Sequence, residues 1–418
     1  LQNFNNSLNN NNLIITNIKQ VKQLDFSGFN SDELKQIFRH IKQSFVKREL
    51  VSAIGKLRNL KFKSFLYSVL TNEDPKIVIQ AIRALSSLKD QDIWHELVKY
   101  QNHPNELVKN YLLNLLSKQQ KNQNKVTAKT VKIHTDERLK NVVVNGDTLK
   151  FMRLIDASSV HLTFTSPPYY NARDYSIYPS YKDYLAFLAQ VFKEIHRITC
   201  EGRFFIINTS PIIIPRASRQ TSSKSYPIPF DIHPLIEQAG FEFIDDIVWL
   251  KPEASVKNRN GGFMQHRKPL GYKPNLVTEY VMVYRKQTDK LIDWNMRGYD
   301  AKTSEQSKVL EDYETTNVWK IDPLHNKNHS AVFPDELCRR IITFYSYVGD
   351  LIFDPFAGSG TVGKVASANK RNFLLTELNN EYFAYIKRNL TNLFVPNTRF
   401  LTLEQFKNYY RRLNNNGD

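Results

Sequence analysis

Cysteine is almost missing from this chain of 418 residues: Cys200 and Cys338 are the only two. Two thiols cannot build a disulfide scaffold or a cysteine-rich zinc site, and neither follows a proline. No metal is therefore expected. No 18-residue apolar run and no secretory leader stand out, so a soluble cytoplasmic protein without membrane contact is expected. Acidic side chains are in deficit, with 41 Asp and Glu against 58 Lys and Arg, a formal charge of +17. A field of that sign draws polyanions, either nucleic acid or an anionic membrane. What remains is globular in composition, at 41% hydrophobic and 12% aromatic, and long enough for two or three domains.

Residues 1–30 are Asn-rich and weakly periodic, which predicts an irregular arm. From 31 to 118 the apolar period is helical. Leu50, Val51, Ile54, Leu57 and Leu60 recur at steps of three and four. Asp74-Pro75 supplies a cap and a first-turn proline before Ile77, Val78, Ala81, Ile82, Leu85 and Leu88. Further stripes start at Ile93 and Leu107. Pro75 and Pro104 stand about one helix pair apart, as HEAT-type repeats would place them, though a plain bundle gives similar stripes. Residues 119–135 are polar and basic and are expected to be a linker.

Beyond it, short strands alternate with helices. Strands are predicted at 141–144, 160–165, 203–208, 241–250, 351–353 and 372–376. Helices are predicted from Ser180 with its Asp183 cap, over 230–239, 334–346, 360–369 and 380–390, and after Thr402 with Gln405. The interval 251–325 loses this rhythm and gains Lys, Arg, Asn and Gly. Such alternation implies a mainly parallel sheet covered on both faces.

Two stretches carry the chemistry. Asp354-Pro355-Phe356-Ala357-Gly358-Ser359-Gly360-Thr361 follows a buried-strand triplet and opens a helix. Its glycines permit close approach, and the helix start can meet a carboxylate or phosphate. It is neither of the common nucleotide-binding glycine loops. Glu377, at the next strand end, can accept both hydroxyls of a ribose. The second stretch, Thr165-Ser166-Pro167-Pro168-Tyr169, also follows a strand. Its prolines stiffen the turn and leave carbonyls free to accept from an exocyclic amine, and Tyr169 can stack on a planar base. Asp147 ends a further strand nearby.

With these motifs, residues 141–390 resemble the S-adenosylmethionine-dependent amino-methyltransferases of DNA. Thr165 to Tyr169 is similar to their catalytic (Asp/Asn/Ser)-Pro-Pro-(Tyr/Phe) motif, and Asp354 to Thr361 to their cofactor motif. His329 to Phe333 and Pro334 are similar to the segment that closes over methionine. The catalytic motif comes first, as in the β group. The resemblance implies a doubly wound, mainly parallel seven-stranded α/β sheet behind the N-terminal helical domain. Its implied segments are a catalytic half at 136–250, a DNA-recognition insert at 251–325, a cofactor half at 326–395, and a last helix and tail at 396–418. Implied roles are catalytic for Ser166, Pro167, Pro168 and Tyr169. S-adenosyl-L-methionine would meet Asp147, Thr165, His329, Phe333, Pro334, Asp354, Pro355, Phe356, Gly358, Ser359, Gly360, Thr361 and Glu377.

Serine before the prolines leans the resemblance to N4 of cytosine over N6 of adenine, by direct transfer to a base extruded from the duplex. A C5-cytosine enzyme would need a thiol in a Pro-Cys context. Arg173, Arg216, Arg219 and Lys224 beside the site, and Lys251, Lys257, Arg259, His266, Arg267, Lys268 and Lys273 beyond it, are expected to meet double-stranded DNA. A cognate restriction endonuclease is a further implied partner, and monomer and dimer both stay open. RNA or protein amine methylation, or a non-catalytic DNA-binding protein, are the competing readings.

Overall fold

Helical periodicity governs about the first third of the chain and strand–helix alternation the rest. In the computed structural model, contacts divide the chain at the same change of pattern, into Leu1–Lys129 and Thr130–Asp418. The structure describes residues 15–88, 90–123, 135–170, 178–214, 220, 223–256, 269–270, 274–310, 314–324, 334–393, 395 and 397–415.

The first unit holds α1 (Ile18–Gln23), α2 (Ser31–His40), α3 (Ser44–Lys56), α4 (Lys63–Val69), α5 (Pro75–Ser86), α6 (Gln91–Val98) and α7 (Glu106–Gln123). Reciprocal capping boxes start α1 at Asn17 and α2 at Asn30, and Asp74 caps α5 with Pro75 in its first turn. The predicted irregular arm is thus corrected for its described part. Asn17 and Gln20 cap a helix there, and Ile15, Val21 and Phe26 are buried in the unit's core. The linker is shorter than predicted, because α7 continues to Gln123. One stripe also departs from expectation. Leu57 and Leu60 are exposed because α3 ends at Lys56 and Arg58 takes a φ of 48°; Phe62 is buried instead. Helices pack on the next but one, α1 on α3, α3 on α5 and α5 on α7.

At the α3–α5 crossing a Cβ on Gly55 would stand 2.6 Å from the Ala84 Cβ. Gly55→Ala must therefore push two helix backbones apart. It is expected to destabilise the unit by about 1–3 kcal/mol, the usual cost of overpacking, read as a lower denaturation midpoint by circular dichroism.

The second unit runs β1 (Val142–Asn145), α8 (Thr148–Met152), β2 (Val160–Thr165), α9 (Tyr181–Ile198), β3 (Thr199–Thr209), β4 (Ile212–Ile214), β5 (Lys224–Tyr226), α10 (Ile228–Gln238) and β6 (Phe241–Leu250). It continues with β7 (Thr278–Lys286), α11 (Ile292–Met296), α12 (Ala301–Gln306), β8 (Val318–Lys320), α13 (Asp335–Tyr345) and β9 (Leu351–Asp354). It closes with α14 (Thr361–Ala368), β10 (Asn372–Glu377), α15 (Asn380–Asn392), β11 (Arg399–Thr402) and α16 (Leu403–Asn415).

One doubly wound sheet has the order β11-β1-β10-β9-β2-β3-β7-β6-β8. Its strands from β11 to β3 are parallel, while β7 runs antiparallel to both β3 and β6. Seven strands were expected, and the described sheet has nine, because short β11 and β8 extend its two edges. A larger departure concerns 251–325. Residues 278–286 of that interval form a strand in the heart of the sheet, with Val281, Met282, Val283 and Tyr284 buried.

Alternation sorts the strand side chains into two cores. Helices α8, α9, α10 and α16 cover one face, and α13, α14 and α15 the other. Toward the amino ends of the parallel strands, Arg203 forms a buried ion pair with Asp350, which also accepts from the Tyr299 hydroxyl at 2.6 Å.

Candidate functional site

Parallel strands present their carboxyl ends at one rim, and β1, β10, β9 and β2 are neighbours there. The segments leaving them enclose a cavity of about 360 Å³. From β1 come Gly146, Asp147 and Thr148; from β2, Ser166 to Tyr169; from β9, Asp354 to Ser359 and Thr361; from β10, Glu377, Leu378 and Asn379. Tyr178, Phe187 of α9 and Tyr382 of α15 complete the wall.

Glu377 organises the glycine loop. Its two carboxylate oxygens accept from the Gly358 and Asn379 backbone N–H groups, each at 2.8 Å. Those bonds fix the carboxylate yet leave lone pairs for a ligand hydroxyl. Gly358 and Gly360 sit at φ 52° and 77°, a region that disfavours other residues, and Gly360 caps α14. Asp354 ties the two sequence motifs together. Its Oδ1 accepts from Thr165 Oγ1 at 2.7 Å and from the Phe356 N–H at 3.1 Å.

Burial pushes the Asp354 carboxyl up to about 7, with Glu377 adding repulsion, although the Thr165 and Phe356 hydrogen bonds pull it down. Burial raises Glu377 as well. An unfolded Asp ionises near 3.9. Between about pH 4 and about 7 the folded chain therefore keeps a proton that the unfolded chain has lost. Stability falls as pH rises through that window and levels off above it. Asp354→Asn should flatten this decline: without cofactor the variant is expected to melt higher than wild type at about pH 8 and to converge with it near pH 4.

An aromatic cluster backs the Ser-Pro-Pro edge. The Tyr170 ring lies 5.2 Å from Tyr181, 5.7 Å from Tyr184 and 4.9 Å from Tyr226. Phe187 joins this side to the glycine loop, 5.8 Å from Tyr178 and 6.3 Å from Phe356.

Of the residues singled out from the sequence, Ser166, Pro167, Pro168, Tyr169, Asp147, Asp354, Pro355, Phe356, Gly358, Ser359, Thr361 and Glu377 line this one cavity. Asp147 also caps α8, accepting from the Lys150 N–H at 2.8 Å. Thr165 and Gly360 do not line it: Thr165 is buried beneath the rim on Asp354, and Gly360 faces Ile386. Pro334 caps α13, also outside the lining. Lys251 departs from its expected place on phosphate. It is mostly buried, in an ion pair with Glu279 and over the Trp249 ring. Lys224 is exposed on β5 beside Tyr226.

His329, Phe333, Arg173, Arg216, Arg219, Lys257, Arg259, His266, Arg267, Lys268 and Lys273 lie outside the described residues. Sequence reasoning missed Gly146, Thr148, Tyr178, Phe187, Ala357, Leu378, Asn379 and Tyr382. Asn379 had a signal in its spacing: two residues after Glu377, it caps α15 by accepting from the Glu381 and Tyr382 N–H groups. Among the described residues no cluster able to hold a metal is found. Burial pushes the Cys200 thiol up to about 11 and raises Cys338 too, and neither lines the cavity.

Residues 160–388 match a family model described as DNA methylase, for the N6 and N4 methyltransferases. The chain is 28% identical over 264 residues to the Type II beta methyltransferase M.BslI of Bacillus sp. (strain NEB-606). That match spans 60% of this chain but only 27% of M.BslI. It is also 28% identical over 277 residues to the DNA adenine methyltransferase YhdJ of Escherichia coli (strain K12), across 60% of this chain and 82% of YhdJ. Among solved structures, the cytosine-N4-specific PvuII DNA methyltransferase aligns with a TM-score of 0.44 at 19% identity. That alignment covers 66% of this chain and 93% of the PvuII enzyme.

Proposed function

Because the chain belongs to the N6/N4 DNA methylase family, we propose that it methylates an exocyclic amine of double-stranded DNA, N4 of cytosine, using S-adenosyl-L-methionine. One observation carries the reading: Ser166 to Tyr169, and Gly358 with Glu377, line a single cavity. The donor set fits a nucleoside that carries an amino acid. Glu377 offers acceptors to ribose hydroxyls, Phe356 and Phe187 an apolar wall for a purine, and Asp354 a carboxyl that a bound ammonium would draw into its charged form. The cavity volume lies in the small-molecule range.

When bound, S-adenosyl-L-methionine supplies an electrophilic methyl group. The chain's own residues do the rest. Ser166 Oγ and the Pro167 carbonyl accept from the N–H groups of the target amine and turn its lone pair inward. Tyr169 holds the extruded ring by stacking. Positive charge grows on the amine nitrogen as the methyl–sulfur bond breaks, so those oxygens bind the transition state more tightly than the ground state, and Ser166 Oγ passes the excess amine proton on to water. No thiol takes part. The basic segment between β6 and β7 is assigned to DNA phosphate and base edges.

Adenine N6 is the second reading, favoured by the similarity to YhdJ. Incubating the protein with labelled cofactor and duplex DNA, then weighing the nucleosides, separates the two. N4-methylcytosine supports the proposal, N6-methyladenine moves it to the second reading, and no methylated nucleoside refutes both.

A further inference from the structure

The helical unit lies outside the residues that match the family model, so that match gives it no role. Around its turn from α2 into α3, the end of one helix and the start of the next carry Arg39, His40, Lys42, Lys47 and Arg48, with Glu49 the first acidic residue after them. The fold exposes them for a simple reason. Ile37, Ile41, Val46 and Leu50 are buried anchors, and the polar positions between them face solvent. Arg39, His40, Lys42 and Arg48 are exposed, while half-buried Lys47 lies 5.0 Å from the Phe38 ring centroid. Elsewhere in the unit some cations find carboxylates, Lys35 with Asp32, Lys63 with Asp90 and Lys99 with Glu96, while others, such as Lys76 and Arg83, form no ion pair among the described residues. Among the described residues, Arg39, Lys42, Lys47 and Arg48 form no ion pair.

We propose that this turn is a second DNA contact, which grips duplex phosphates. It rests on the methyltransferase reading for the identity of the polyanion. Unpaired cations crowded on one turn repel one another, and binding a phosphate backbone relieves that repulsion while releasing counterions. Phe45 is the large apolar side chain exposed among them, which leaves an acidic protein partner little to bury here.

The test uses the full chain carrying Arg39→Gln, Lys42→Gln and Arg48→Gln together, with duplex DNA that lacks a preferred site. Each lost phosphate contact removes about 0.9 from the slope of log affinity against log salt, so the slope should fall by about 2–3. Affinity at about 50 mM salt should drop roughly tenfold or more. Turnover at saturating DNA should stay at the wild-type level. A control variant, Arg83→Gln with Lys109→Gln, removes exposed cations elsewhere on the unit and should keep its slope. An unchanged slope in the triple variant, or an equal loss per charge in the control, overturns the proposal. The nucleoside assay on wild type reports on the underlying activity, and the slope on the turn alone.

Discussion

Ser166→Ala is expected to lower turnover about 100-fold or more while leaving cofactor affinity within about twofold. The serine sits at the carboxyl end of β2, on the cavity wall, and half-exposed to it. On the proposed assignment its oxygen makes its best bond only as the target amine becomes cationic, so removing it raises the barrier without weakening the ground state. Subtracting one such preorganised group from an active site commonly costs about 2.7–4 kcal/mol, which is 10²–10³ in rate. Single-turnover kinetics beside calorimetric titration of the cofactor reads both quantities. If affinity and rate fell together, the serine would be holding cofactor or fold, and its assignment to the amine would be wrong.

Glu377→Ala should do the reverse, weakening cofactor binding about 100-fold. Two effects add. On the proposed assignment the ribose loses its acceptors, and the Gly358 and Asn379 N–H groups lose the carboxylate that holds them. Each hydrogen bond to a charged group is worth about 1.5–3 kcal/mol, and 1.4 kcal/mol is a factor of ten. Glu377→Gln should recover only part of the loss, because its amide nitrogen would face one of the two N–H donors instead of accepting from it. Calorimetric titration checks this, with thermal melting to show that the variant is folded. An affinity within about threefold of wild type would end the assignment.

Much of the architecture was legible because local chemistry and tertiary placement agree. Strands β2 and β6 begin and end where predicted, at Val160–Thr165 and Phe241–Leu250. The first is a β-prone run stopped by Ser-Pro-Pro; the second has β-prone ends around Asp245 and Asp246 and is stopped by Lys-Pro. Ser180 caps α9 as its spacing with Asp183 suggested, and Tyr184, Leu188, Val191, Phe192 and Ile195 are buried on one side. Strand β7 was hidden because its five apolar positions lie within a long basic interval, so composition outweighed alternation. Lys251 was misjudged as a consequence. Its carboxylate partner, Glu279, belongs to that strand and becomes a neighbour only when β7 pairs with β6.

Edge strands β8 and β11 carry exposed residues and give little apolar signal. At the cavity, the motifs were visible because they are contiguous. Phe187 was not, because helix periodicity marked its neighbour Leu188 as core and left the next position unassigned. The cavity therefore reads from the sequence as two loops, and its aromatic third wall emerges only when α9 lies across the sheet.

The pairing of β6 with β7 also bears on how such a protein could change its preferences. Leu250 stands opposite Thr278, and the Lys251 N–H donates to the Val277 carbonyl at 2.8 Å. Everything between departs from and returns to one hydrogen-bonded step. A foreign stretch whose ends meet at that spacing could be grafted there as a cassette, at a closure cost that grows only slowly with its length. With that segment reading DNA as proposed above, the residues on β2 and β9 would stay as they are, and novelty in what is recognised would need no new enzyme.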